Sequence, residues 1–422
     1  MIREVAVLGL GASGRAAAAL LVREGRQVYA SDSAQGGHDL ARIARAELVV
    51  ASPGIPPTAP PLVAARTAGV PVISEIELAL RAMPGLRYIA VTGTNGKTTT
   101  TALIGHLLRG LGLDAVDAGN IGVPLAEVAL RAERPDWVAL ELSSFQLHDT
   151  PSIDPTVGVL LNLSPDHLDR YPSVEAYYAD KALLFRNAGP RSRVVVNADD
   201  AAVMAMVRDV PGRHYTFSVA GRAADARFAA NVLEVLGTPL AARAAVPLIG
   251  DHNVANVLAA TLAVLVATDG SRDRVASALG TFRPPPHRLQ LVGEYGGVQW
   301  IDDSKATNVA SALVALEGMT RPTVWLAGGR HKGESYAALA APLKRVGKAL
   351  VAYGEAGPLV ARDLEGVIPI HLMGMDFGAV MAEARALAAP GDAVLLAPAC
   401  SSFDMFKNYG ERGDTFARLA AS

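Results

Sequence analysis

The stretch Gly93-Thr94-Asn95-Gly96-Lys97-Thr98 places two glycines, a lysine and hydroxyls where the apolar run "RYIAVTG" gives way to a helix-forming one, "KTTTTALIGHLL". Glycines let a backbone wrap an anion. The Lys97 ammonium can then bridge terminal phosphates, and the Thr98 hydroxyl is placed to ligate magnesium. The usual spacing G-x-x-x-x-G-K-[ST] would need a glycine where Val91 stands, so this is a shortened loop. Its natural occupant is a nucleoside triphosphate.

A second glycine loop, Gly9-Leu10-Gly11-Ala12-Ser13-Gly14, matches G-x-G-x-x-G, follows a predicted strand and opens a predicted helix. Asp32 stands at the end of the next predicted strand, where a ribose-binding acid would sit. By itself this fingerprint admits a nicotinamide or flavin cofactor, another nucleotide, or a purely structural turn, because the glycines certify only a tight turn whose N–H groups face an anion. Two candidate metal ligands close apolar runs: Glu141 in "DWVALELSSF" and His167 in "NLSPDHLDRY". The carboxyl ends of neighbouring strands are where α/β sheets bind ligands. The single cysteine, Cys400, excludes an internal disulfide and a Cys-based zinc cluster, in keeping with a reducing cytoplasm.

Strands and helices must position these groups. The chain has 422 residues, enough for two or three domains. Lys plus Arg total 39 against 41 Asp plus Glu, so no broad basic surface points to nucleic acid. The start, "MIREVAVLGLGASG", reads as a first strand rather than an export signal. "VANVLAATLAVLVATDG" is shorter than a membrane span and reads as a buried helix. The segments "EVAVLGL", "QVYASD" and "AELVVASPGI" alternate with helical sequence in a βαβ rhythm. The pattern restarts at "RYIAVTG" after Pro84-Gly85, and again past the extended connector Pro284-Pro285-Pro286 at "VQWIDDS", "PTVWLAGG", "KALVAYG" and "DAVLLAPA". The expectation is an α/β protein of three domains, 1–86, 87–283 and 284–422. The stretch from about 219 to 246 carries no usable motif.

These residues resemble the Mur ligase family over essentially the whole chain. The matching stretches are "SPGI" from Ser52, "TGTNGKTT" from Thr92, "GNIG" from Gly119, "ELSSFQL" from Glu141, "SPDHLDRY" from Ser164, "HNVANVLAA" from His252, His287-Arg288, "DDSKATN" from Asp302 and "SSFDMFKNYGERG" from Ser401. "SSFQL" and "DSKATN" resemble the branch that adds D-glutamate. The D-N-P-R stretch of the diaminopimelate or lysine adders is absent.

The resemblance implies a Rossmann-like N-terminal domain, a P-loop ATPase-like central domain and a Rossmann-like C-terminal domain. It assigns the first loop to the uridine diphosphate of the substrate UDP-N-acetylmuramoyl-L-alanine, with Ser13, Asp32, Ser33 and Ser52 as contacts and Asn120 near the lactoyl-alanyl end. ATP would lie against Gly93, Thr94, Asn95, Gly96, Lys97, Thr98 and Thr99, with Asn253, Asn256, Arg288 and Asp303 near the adenosine. Two Mg2+ ions would be held by Thr98, Glu141, His167 and Lys181, the last carbamylated by carbon dioxide into an anionic ligand. On residue type alone, a helix lysine such as Lys181 is a solvated surface charge. D-glutamate would meet Thr307 and Lys332 at one carboxylate and Ser402 and the backbone near Tyr409 at the other, with Lys305 between the small-substrate sites. Family members often carry phenylalanine where Tyr409 stands, and "GRHKGES" keeps its lysine among altered neighbours.

The implied catalytic residues are Lys97, Glu141, His167 and Lys181, acting through an acyl phosphate in peptidoglycan precursor synthesis, in a cytoplasmic monomer free of membrane and nucleic acid. A folylpolyglutamate synthetase-like ligase, a nicotinamide-dependent oxidoreductase and a nucleotide-gated switch are the competing readings.

Overall fold

The computed structural model describes residues 4–167, 170–246, 248 and 250–422. Its strands form three sheets. The first contains β1 (Val5–Leu8), β2 (Val28–Ser31), β3 (Leu48–Ala51) and β4 (Val72–Ser74), all parallel, in the order β2-β1-β3-β4.

The second sheet is nine-stranded, in the order β13-β12-β11-β10-β9-β8-β5-β7-β6. Its parallel part is β5 (Tyr88–Thr92), β6 (Ala115–Gly119), β7 (Trp137–Glu141), β8 (Val157–Leu160), β9 (Arg193–Asn197), β10 (Arg213–Ser218) and β11 (Ala226–Ala229). An antiparallel extension, β12 (Val232–Val235) and β13 (Thr238–Ala242), completes it. The stretch without a motif thus forms an edge meander. The sequences YIAVT, WVALE and VGVL are buried at every position, as expected of central parallel strands covered on both faces.

The third sheet has the order β14-β15-β19-β16-β17-β18, from β14 (Gln290–Tyr295), β15 (Val298–Asp302), β16 (Thr323–Gly328), β17 (Gly347–Tyr353), β18 (Ile370–Leu372) and β19 (Ala393–Leu396). Only β14 runs antiparallel to its neighbour. Its strands alternate between two cores: Trp325 and Ala327 pack on one face, Val324 and Leu326 on the other. That is the period of two that a pleated strand imposes.

The chain divides into two compact units. The first joins Met1–Leu163, Ser173–Val246 and Ala255–Phe282, and the second joins Ser164–Pro172, Pro247–Val254 and Arg283–Ser422. Within the first unit one core runs under two sheets, from Val5, Val7 and Val50 to Val138 and Leu140, with Leu20, Ile76 and Leu125 between them. The apolar helix expected from "VANVLAATLAVLVATDG" forms as Asp251–Ala267, with Val257, Leu258 and Leu262 fully buried. Among the described residues, no helix is long and apolar enough to cross a membrane.

The first unit buries several ionisable groups, Glu75 among them. Glu75 begins the helix Glu75–Ala82 and is 2% exposed; its Oε1 accepts the Ala126 N–H, while its Oε2 has no hydrogen-bond partner. Burial, only partly offset by the Ala126 bond, pushes its carboxyl from 4.5 up to about 7. The folded state then holds a proton that the unfolded chain releases near 4.5. This stability contribution is therefore full below that value and is lost as pH rises through about 7. At about 1.4 kcal/mol per pH unit the effect is about 3 kcal/mol. Glu75→Gln is expected to flatten the pH dependence of the urea midpoint between pH 5 and pH 7.5, approximate limits set by this window, and to leave the variant more stable than the parent at the upper end. Parallel pH profiles for the two proteins would contradict this account of Glu75.

Candidate functional site

Strand β5 lies between β7 and β8, and the chain reaches these two neighbours by crossing to opposite sides of it. The carboxyl end of β5 is therefore a switch point, and the short glycine loop starts there. Gly93 has φ +147° and Gly96 φ +81°, conformations that side chains resist. A Cβ on Gly96 would lie 2.3 Å from Asn256 Oδ1. Asn162, just past β8, clasps the loop: its backbone oxygen accepts the Thr94 N–H at 2.9 Å, its side-chain oxygen accepts the Asn95 N–H at 2.8 Å, and its Nδ2 donates to Asn95 O at 3.1 Å. The helix Lys97–Gly110 follows, with Thr98 and Thr99 buried in its first turn. Lys97 Nζ folds over the loop and donates to Gly93 O at 2.9 Å and Thr94 O at 2.7 Å. Asn256 Oδ1 accepts from the Thr100 hydroxyl at 3.3 Å, which ties the long helix to the loop.

Lys181 is not a surface charge. It lies on the helix Val174–Ala182, is 1% exposed, donates from Nζ to Gly93 O at 2.8 Å and sits 4.5 Å from the centre of the Tyr177 ring. The expectation for a lysine on a helix fails because this face is turned into the sheet end. Glu141, the last residue of β7, is also 1% exposed; Asn120 Nδ2 donates to its Oε1 at 2.7 Å, while its Oε2 is buried without a hydrogen-bond partner. An unpaired buried carboxylate oxygen is a position that a hard cation would satisfy. The donor set around the loop, a hydroxyl and a carboxylate, suits Mg2+, which takes oxygen ligands and keeps others from phosphate and water. Among the described residues, no three His, Cys, Asp or Glu side chains are gathered as a metal cage.

The strands preceding Glu141 and His167 flank β5 rather than pair with each other. His167 itself belongs to the second compact unit, with φ +56° and its Nε2 3.7 Å from Asp166 Oδ2. Asp166 Oδ2 also accepts from Asn308 Nδ2 at 2.8 Å, inside the same unit. Asn253 falls in the second unit and Asn256 in the first, both 6% exposed.

In the first sheet, β1 has β2 on one side and β3 on the other, so its carboxyl end is a second switch point, and the other glycine loop leaves from it. A Cβ on Gly14 would lie 1.7 Å from Gly9 O, which explains glycine there. The Ser52 hydroxyl donates to Gly9 O at 3.0 Å. Asp32 accepts the Leu10 N–H at 2.6 Å and the Ala34 N–H at 2.9 Å, and these two bonds hold its carboxyl below the usual range. Ser13 lies in the first turn of the helix Ala12–Arg23, and Ser33 is exposed at the start of the turn Ser33–Gln35.

The third sheet inserts β19 between β15 and β16, so the loops after these three strands emerge side by side. They carry Lys305 and Thr307, Lys332, and Ser402. Lys332 Nζ donates to Thr307 Oγ1 at 3.4 Å, and Lys305 Nζ lies 5.1 Å from the centre of the Tyr409 ring. Ser402 is 2% exposed. Arg412, fully buried, ties two of these loops, donating to Ser304 Oγ at 2.9 Å, Ser304 O at 2.8 Å and Cys400 O at 3.3 Å. Ser304 Oγ in turn donates to Tyr409 O at 2.8 Å. Beside them, His287 Nδ1 pairs with Asp302 Oδ2 at 2.6 Å, chiefly by which Asp302 raises the imidazole pKa. Burial pushes Asp303 up to about 7 against the opposing charge of Arg288. Asn162, Arg412 and His287 were not singled out as separate contributors by sequence reasoning. His287 and Arg412 stood inside quoted motifs, whereas Asn162 had no signal beyond following an apolar run.

Phosphate-type loops at two switch points, followed by a sheet whose loop cluster presents lysines and hydroxyls, define a multi-sheet α/β nucleotide-binding protein. Mur ligase middle domain sequence matches residues 91–264, and Mur ligase glutamate ligase domain sequence matches residues 287–400. The chain belongs to the Mur ligase family. It is 41% identical over 449 residues to UDP-N-acetylmuramoylalanine–D-glutamate ligase of Chromobacterium violaceum, covering 100% of this chain and 98% of that one. It is 40% identical over 450 residues to the protein of the same name from Myxococcus xanthus, covering 99% and 98%. The fold matches UDP-N-acetylmuramate–alanine ligase of Thermotoga maritima with TM-score 0.67 at 19% identity, covering 99% of each chain. It also matches a type C pseudomurein peptide ligase of Methanothermus fervidus with TM-score 0.64 at 20% identity, covering 100% of each.

Gly96→Ala tests the loop. The added methyl meets Asn256 in a left-handed conformation, so a loss of about 1–3 kcal/mol in stability is expected. Calorimetry with a non-hydrolysable ATP analogue should read an affinity lower by about ten-fold or more. An unchanged affinity would remove the loop from the nucleotide site.

Proposed function

We propose that the protein is an ATP-dependent ligase that joins D-glutamate to UDP-N-acetylmuramoyl-L-alanine, a step in the synthesis of peptidoglycan precursors. The observation that carries this reading is the shortened glycine loop with Lys97 and Lys181 both bonded to Gly93 O. Full-length similarity to D-glutamate ligases selects the substrates. That similarity leaves no support for an oxidoreductase.

A carboxylate and an amine do not condense in water at useful rates, so the alanyl carboxylate must first gain a leaving group. In this reading it attacks the γ-phosphorus of ATP, giving an acyl phosphate and ADP. The D-glutamate amine then attacks the acyl carbon, and the tetrahedral intermediate expels phosphate. Two anions approach in the first step. Lys97 opposes their repulsion, and the N-terminus of the helix Lys97–Gly110 holds the phosphate chain in place before the reaction, positioning being the main protein contribution to phosphoryl transfer. Mg2+, held by Thr98 and Glu141 with His167 and carbamylated Lys181, would supply further positive charge at the phosphates. A carbamate on Lys181 keeps one N–H, which is enough to preserve the bond to Gly93 O.

In the same reading, residues 1–86 hold the uridine diphosphate through Ser13, Asp32, Ser33 and Ser52, with Asn120 next to the alanyl end. Residues 87–283 hold the ATP phosphates, with Asn253, Asn256, Arg288 and Asp303 at the adenosine. Residues 284–422 hold D-glutamate between Lys332 with Thr307 and Ser402 with Tyr409, Lys305 lying near both small substrates. The protein works as a cytoplasmic monomer.

Phosphate release with ATP, Mg2+, the nucleotide sugar and a panel of D- and L-amino acids is the decisive assay. D-glutamate alone should respond strongly; an equal response to L-glutamate would refute the assignment. Lys97→Ala is expected to lower turnover by roughly 10²-fold or more. Near-normal turnover of that variant would exclude Lys97 from the chemistry.

A further inference from the structure

The loop carrying Lys332 follows β16, and the loop carrying Ser402 follows β19. Their backbones approach so closely that a Cβ on Gly329 would lie 2.2 Å from Ser401 O. Arg330 and Ser401 exchange backbone hydrogen bonds at 2.9 and 3.1 Å. Tyr336 lies under this junction, 1% exposed. Its hydroxyl lies 2.9 Å from Nδ1 of His331, the residue before Lys332, and 3.0 Å from Sγ of Cys400, two residues before Ser402. Asp363 Oδ2 fixes its backbone by accepting the Tyr336 N–H at 3.1 Å. The rings of His331 and Tyr336 are 5.6 Å apart and inclined at 49°. Cys400 is fully buried, and burial pushes its thiol up to about 11, so the sulfur is a neutral partner of the phenol.

We propose that the Tyr336 hydroxyl is a positioning group that, by bonding His331 on one loop and Cys400 on the other, sets the separation of Lys332 and Ser402 and hence the fit of the amino-acid substrate. This rests on the reading of Lys332 and Ser402 as the two ends of the D-glutamate pocket. The hydroxyl bonds to both loops, whereas the ring packs in the core and against His331. A phenylalanine would fill the same core space and remove the side-chain link between His331 and Cys400, leaving the backbone bonds Gly328 N–Pro398 O and Arg330–Ser401 and the bond from Ser401 Oγ to Arg330 O at 3.3 Å. Lys332 also leans on Thr307, so a shift of its loop would alter that contact as well.

The test uses the full-length protein in the phosphate-release assay, with KM measured separately for D-glutamate, ATP and the nucleotide sugar. Y336F should raise the D-glutamate KM by about five- to ten-fold, the effect of losing one or two neutral hydrogen bonds. The other two KM values, kcat and the melting temperature should stay near those of the parent. H331Q breaks the same bridge from the loop side and should shift the D-glutamate KM in the same direction. The double variant should be no worse than the more affected single one, because both changes break one connection. An unchanged D-glutamate KM in Y336F, an equal rise in all three KM values, or additive effects in the double variant would overturn the proposal. Lys332→Ala separates it from the reading beneath it. If that variant raises the D-glutamate KM while Y336F does not, the pocket stands and the clasp falls; if Lys332→Ala leaves it unchanged, both fall.

Discussion

Two ammonium groups converge on a single carbonyl. Lys97 Nζ and Lys181 Nζ lie 2.9 and 2.8 Å from Gly93 O, so they are no further apart than the sum of these bonds. With both amines charged, their mutual repulsion is about 3 kcal/mol at an effective dielectric of about 20. One neutral carbonyl cannot offset that. Negative charge would complete the arrangement, and the triphosphate proposed for the glycine loop would supply it. The proposed carbamate on Lys181 would act in the same direction. The unpartnered Glu141 Oε2 adds the complementary demand, a buried carboxyl oxygen without a hydrogen-bond donor, which a divalent cation would satisfy. Much of the local structure serves to hold these groups together. Asn162 clasps the loop from β8, and Gly96 makes room for Asn256.

The same topological device is used three times. In the first two sheets a glycine loop leaves the central strand where its neighbours diverge, and a residue past a neighbouring strand braces it, Asp32 in one case and Asn162 in the other. In the third sheet, insertion of β19 between β15 and β16 brings three loops together instead of one, and the groups they present are side chains. Phosphates are suited to backbone cradles, whereas a dicarboxylic amino acid needs separated lysine and hydroxyl contacts. Arg412 and Tyr336 tie the latter loops from the core side. A buried guanidinium bonded to backbone carbonyls is costly to misplace, which makes it a rigid tie.

Much of the fold was legible in the chain. The apolar runs at β5, β7 and β8 are buried at every position because parallel strands have no solvated face, and such runs are the plainest pattern a sequence contains. The edge strands β11 to β13 were missed for the converse reason. Edge positions are half exposed, so Ala and Arg suffice there and no strong pattern is needed. Lys181 was the residue least readable by type: a lysine on a helix is ordinarily solvated, and its 1% exposure follows from which way the helix Val174–Ala182 is rotated. The grouping of segments 164–172 and 247–254 with the C-terminal sheet was likewise outside what local pattern conveys.

Residue type and spacing determined the glycine turns, the lysine and hydroxyl that follow them, and the alternation of strand and helix, because each depends on conformational preference over a few neighbouring residues. Tertiary structure decided that Asn162 and Asn256 brace the loop, that Lys181 reaches Gly93, and that His331, Tyr336 and Cys400 form one chain of contacts. Apart from His331 and Tyr336, which are five residues apart, those partners are separated by tens of residues or more. Their meeting depends on strand order, which the packing of the whole sheet selects and no local stretch encodes.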